Sequence, residues 1–121
     1  MDRVRFIEHR GVKILLSDLS GITTTEELQG TVRRGVDLAS EEPHGTVRIL
    51  VDVTDVEYNL EAFAIVQQSV AALRPHVRAR AVVGLPAVAA VPFEIVARIS
   101  GRPMARFDDH EAAKEWLASQ A

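Results

Sequence analysis

Thr46-Val47-Arg48-Ile49-Leu50-Val51-Asp52-Val53 decides the fold. Its β-branched residues suit a strand, and Ile49-Leu50-Val51 is apolar without a break where a half-exposed strand would alternate. An unbroken apolar run marks a central strand covered on both faces, the habit of parallel sheets. Upstream of it, Leu28, Val32, Val36 and Ala39 recur every three or four residues, which predicts an amphipathic helix over about 25–39. Thr24 with Glu27 three residues on forms a capping box at its start. Further upstream, the β-rich runs 4–8 and 12–16 flank His9-Arg10-Gly11 and predict a hairpin, with Val12, Ile14 and Leu16 on one face.

Downstream the alternation of strand and helix continues. Asn59 caps a helix carrying Phe63, Val66, Val70 and Leu73, and Pro75 stops it. A strand follows at about 79–85. Residues 86–99 form an alanine-rich apolar helix whose charges, Glu94 and Arg98, stand four apart. Pro86 suits its first turn, but Pro92 falls inside it, predicting a kink or restart near 91–92. A short strand at about 103–107 precedes a second capping box, Asp108 with Glu111. That box opens a last helix with Ala112, Ala113, Trp116 and Leu117 inward. The order ββαβαβαβα predicts one α/β domain spanning 1–121, a five-stranded mixed, mostly parallel sheet with helices on both faces.

With 121 residues, 47% hydrophobic and 26% charged, the chain has the composition of a globular domain and not of a disordered one. The absence of cysteine excludes disulfides, thiol nucleophiles and cysteine-ligated metal. A net charge of −3 and 5% aromatics supply neither steering nor stacking for nucleic acid. The longest uncharged stretch, Ala81 to Phe93, is too short to span a membrane and holds Gly84, Pro86 and Pro92. The chain starts directly in a strand pattern without a leader-like run, so a cytoplasmic protein is expected. His9, His44, His76 and His110 lie in separate segments, with no i, i+3 or i, i+4 pair to hold a metal. No Gly-x-Ser-x-Gly elbow or glycine-rich phosphate loop occurs. No cofactor is expected, and no metal.

Several stretches resemble one family. They are the hairpin opening, Val-Asp-Val-Thr-Asp-Val at 51–56, Ala-Val-Val-Gly at 81–84, Ser-Gly-Arg at 100–102 and Phe-Asp-Asp-His-Glu-Ala-Ala-Lys-Glu-Trp-Leu at 107–117. Together, over nearly the whole chain, they resemble the SpoIIAA-like family, small bacterial proteins related to STAS domains with a fold also compared to CRAL-TRIO lipid-binding domains. The resemblance implies that fold and a mostly uncharacterised function. Regulatory STAS proteins carry a phosphorylatable serine at the start of the helix after the central strand. Here no serine lies between Ser40 and Ser69, and Thr54 comes too early to match it, so partner switching by phosphorylation does not carry over.

Ligands in open α/β sheets favour the carboxyl ends of the strands, here 17–23, 53–59, 84–86 and 107–109. The polar cluster there is Asp52, Thr54, Asp55, Glu57, Tyr58 and Asn59. Its carboxylates suit a ligand or partner contact, or a hard cation. Equally, such residues serve as turn and cap groups. Arg74, His76, Arg78 and Arg80 alternate, and either meet an anionic partner or form a wet edge whose stems cover apolar surface. Val88, Val91, Phe93, Ile95, Val96 and Ile99 make helix 86–99 apolar on more than one side. That leaves a well-covered helix, a homodimer seam, or a contact with a lipid-like ligand or a membrane surface. A closed cavity of about 300 Å³ or more between this helix and the sheet would mark a carrier, and a flat apolar face a protein contact. The expectation is a non-enzymatic STAS-like module that binds a protein, itself or a small ligand. The rivals are a carrier of apolar molecules and an enzyme using Asp52, Asp55 and Tyr58.

Overall fold

A computed structural model describes residues 2–120. The strands are β1 (Val4–His9), β2 (Val12–Asp18), β3 (Val47–Asp52), β4 (Val77–Val83) and β5 (Met104–Phe107). The helices are α1 (Thr25–Ser40), α2 (Leu60–Leu73), α3 (Ala90–Ser100) and α4 (His110–Ser119), with a 3₁₀ turn at Ala87–Ala89 before α3. The predicted order is the observed one. Arg10 and Gly11 both adopt positive φ, as a two-residue hairpin turn between paired His9 and Val12 requires.

The sheet order is β1-β2-β3-β4-β5, the order of the sequence itself. β1 pairs antiparallel with β2, and all other pairs are parallel. Each β-helix-β connection therefore steps one strand in the same direction. Right-handed crossovers then put every connecting helix on the same face. Both faces are covered, but unequally: α1, α2 and α3 share one side and α4 alone covers the other. On the three-helix side Leu15, Ile49 and Val77 pack with Ala39 and Leu73. On the α4 side Ile14, Leu16, Leu50, Ala79, Ala81 and Val83 pack with Ala113 and Leu117.

Local chemistry sets the boundaries, with three corrections. Thr24 and Asn59 cap α1 and α2 as expected, their side chains accepting from the Glu27 and Ala62 amides. The last helix is capped by Asp109 instead of Asp108, because Asp109 holds the extended backbone a cap needs and accepts from Ala112 N. Strand β4 starts at Val77, two residues before the expected 79, because the turn after α2 closes within Pro75 and His76. The helix expected over 86–99 restarts at Ala90, which places Pro92 in the first turn, where no backbone N–H is needed.

One irregularity redirects side chains. Between β3 and β4 the register runs Val47 to Val77 and then Arg48 to Ala79, so Arg78 is an extra residue. Arg78 donates to the carbonyls of Gly45 and Gln120, and Arg48 to those of Leu117 and Gln120 at 3.0 and 2.7 Å. The two arginines thus occupy the carbonyls at the C-terminal end of α4. Burial, and then the neighbouring charge of Arg78, hold the Arg48 guanidinium below its ordinary pKa.

Candidate functional site

Three helices over one sheet face leave more volume to fill than one helix does. The residues supplied are small: Val32, Gly35 and Val36 on α1, and Ala62, Val66 and Val70 on α2. A cavity of about 110 Å³ remains between these helices, α3 and strands β2 to β5. Its floor is the row Leu15, Ile49, Arg80 and Met104, which are successive cross-strand neighbours. Phe93 and Val96 of α3 close the side over β4 and β5. Of the lining residues only Tyr58 and Pro86 are exposed, so the cavity comes nearest to solvent at the carboxyl end of the sheet.

Arg80 is the exception in this apolar lining. It is 5% exposed and sits in mid-strand, flanked by Ala79 and Ala81 on the opposite face. The extra residue at Arg78 sets this orientation, so Arg80 is not part of a wet edge shared with Arg74, His76 and Arg78. Its backbone N–H donates to Pro103 O in the sheet. Among the described residues its guanidinium makes no ion pair and no side-chain hydrogen bond. Among the described residues no side-chain nitrogen or oxygen is sealed from solvent space without a partner, so the Arg80 nitrogens keep open space beside them. Burial alone lowers its pKa to about 10, which leaves it charged at neutral pH.

The polar cluster at the strand ends does not converge. Asp52 points to the α4 side, where its carboxylate accepts from Thr54 N at 2.9 Å and lies 2.7 Å from His110 Nε2. Burial works to raise the Asp52 pKa, but the bonds from Thr54 and His110 outweigh it and hold the carboxyl below its ordinary value. Asp55 sits exposed in a positive-φ turn, and Asn59 is spent on capping α2. Thr54 packs against Gly84. Only Tyr58 borders the cavity, and burial raises its hydroxyl pKa. Among the described residues no group of three His, Asp or Glu is placed to hold a metal ion.

The candidate interface divides as well. Val88, Val91 and Ile95 are exposed (79%, 71% and 47%), and Leu60 at the start of the neighbouring α2 is 87% exposed. Phe93, expected beside them, is buried and faces the cavity. The apolar excess of helix 86–99 thus has two destinations, one inward and one outward. The cavity lies under three helices and not under this helix alone, and it falls short of about 300 Å³.

Arg80 was open to detection in the sequence. A single charge inside Ala79–Val83, an otherwise apolar run, reads as a buried cation in a strand covered on both faces. No described helix is long and apolar enough to cross a membrane.

No functionally curated protein matches the chain. Among solved structures, an uncharacterised protein of the DUF3478 family from Shewanella loihica, with a SpoIIAA-like fold, superposes with a TM-score of 0.66. It covers 94% of this chain and 91% of its own at 14% identity, a likeness of fold. The model of the SpoIIAA-like family matches residues 14–118, from β2 to the end of α4. By that match the chain belongs to the SpoIIAA-like family.

Proposed function

We propose that the chain is a non-enzymatic binding module whose cavity receives a small, largely apolar ligand. The observation that carries this reading is the apolar space of about 110 Å³ between the crossover helices and the sheet. Native cores hold few voids larger than a water molecule. An apolar cavity of about 150 Å³ takes benzene, so about 110 Å³ encloses no more than that, and a longer tail extends to the solvent side at Tyr58 and Pro86. The volume supports a ligand well below the size of a membrane lipid. Against an enzyme stands the dispersal of Asp52, Asp55 and Tyr58, which share no cleft.

The test is titration of the ¹⁵N-labelled protein with 1-octanol. Saturable shifts are expected at Val66, Val70, Phe93 and Val96, and Val66→Phe should abolish them by filling the space. Shifts confined to the outer surface, or unchanged by Val66→Phe, would sink the reading.

A second reading rests on the outer stripe. Val88, Val91 and Ile95 lie exposed on α3 and its lead-in turn, and such a patch supports a homodimer seam. Sedimentation of wild type against Val91→Asp decides it. A dimer that the variant dissociates is expected, and two monomers mean that no seam exists.

A further inference from the structure

We propose that the ligand is a monocarboxylic acid with a short or medium-length apolar tail, its carboxylate paired with the guanidinium of Arg80. This deepens the binding reading above and rests on it. A charged group is seldom fully buried unless it is paired, and among the described residues no carboxylate pairs with this one. A bare buried cation lining an apolar space is half of an ion pair. The planar guanidinium fork matches a carboxylate through two parallel N–H···O bonds, and a ligand carboxylate would supply the missing acceptors.

The rest of the lining narrows the class. Arg80 is the one basic residue among the lining residues, the other polar ones being Ser17, Ser69 and Tyr58. One positive charge balances a monoanion and leaves a doubly charged phosphate monoester or dicarboxylate under-neutralised in a low-dielectric site. The apolar walls of Val36, Val66, Val70 and Phe93 require a hydrocarbon tail. The position of Arg80 in mid-strand, with Tyr58 and Pro86 at the solvent side, sets the acid group innermost and the tail toward the carboxyl end of the sheet. The lowered pKa of Arg80 fits a site whose cation is desolvated before the ligand arrives.

The experiment is isothermal titration of the full chain with sodium octanoate and, separately, with 1-octanol, which has a tail of the same length and no charge. One octanoate per chain is expected, bound at least about tenfold more tightly than octanol, the contribution of a charge-assisted bond. Arg80→Met should erase that preference while octanol still binds, and Arg80→Lys should keep part of it. Arg80→Gln, similar in polarity and uncharged, gives the same comparison if the methionine variant does not fold. Equal affinity of wild type for the two compounds overturns the carboxylate and leaves the apolar cavity standing. Unchanged octanoate affinity in Arg80→Met does the same. Binding of neither compound overturns both.

Discussion

His110 Nε2 lies 2.7 Å from Asp52 Oδ2, so the first residue of the last helix is tied to the last residue of the central strand. Folding favours the ionised form of Asp52, whose pKa is held below its ordinary value. The folded chain therefore binds fewer protons there than the unfolded one. The contribution is fully present above the unfolded carboxyl pKa of about 3.9 and is lost as pH falls through the lower folded value. His110 is over a third exposed, which discounts the ionic part. Asp52→Asn should cost about 1–2 kcal/mol at pH 7, with the gap to wild type closing near pH 2–3. Urea midpoints at both pH values check it, and an equal gap at each would refute the linkage.

Gly84 and Gly11 both have positive φ, +79° and +76°, and separate conformational strain from collision. A methyl group at Gly84 would overlap the Thr54 side chain and crowd its backbone, whereas at Gly11 it would meet nothing within 4 Å. Gly11→Ala should cost about 1 kcal/mol, the ordinary left-handed cost, and Gly84→Ala at least about twice that. Thermal melts of the two variants compare them directly. Equal losses would mean that the turn around Thr54 yields freely.

One substitution should act with opposite sign at two arginines. Arg48→Met strips donors from Leu117 O and Gln120 O and should lower stability by about 1–2 kcal/mol. Arg80→Met removes a desolvated charge. Its lowered pKa of about 10 corresponds to roughly 3 kcal/mol, part of which lost stem packing offsets, so a net gain of about 1 kcal/mol is expected. Denaturant curves on the ligand-free protein decide it. A clear loss at Arg80 would show that its guanidinium has a stabilising partner in the folded chain.

Leu117 and Val91 mark the two extremes of apolar placement. Leu117 is fully buried against β3 and β4, and Leu117→Ala should cost about 2–5 kcal/mol. Val91 is mostly exposed, and Val91→Ser should stay within about 0.5 kcal/mol in the monomer. Calorimetry at low protein concentration, where no dimer forms, provides the comparison.

Most of the architecture was legible because its signals are local. The unbroken Ile49-Leu50-Val51, the caps at Thr24 and Asn59 and the Arg10-Gly11 turn depend on near neighbours alone. Boundaries slipped where two adjacent residues could do the same work, as Asp108 and Asp109 can. The site was less legible because its key orientation depends on strand register. Alternation places Arg78 and Arg80 together, and only the extra residue opposite Arg48 sends them apart. Composition likewise does not say which apolar residues of helix 86–99 turn in. Phe93 is buried and Val91 is not because the restart at Ala90 sets the phase of the helix.

The matching of strand order to chain order bears on how the protein is made. During synthesis each new strand can join the edge its predecessor has just formed, so the sheet grows in one direction as the nascent chain leaves the ribosome. The shield of its second side comes last. Until Ala113 and Leu117 emerge, a bare greasy wall of Ile14, Leu16, Leu50 and Ala81 faces the surroundings. Chains stalled or clipped before the closing helix should therefore be the ones that clump and that chaperones hold.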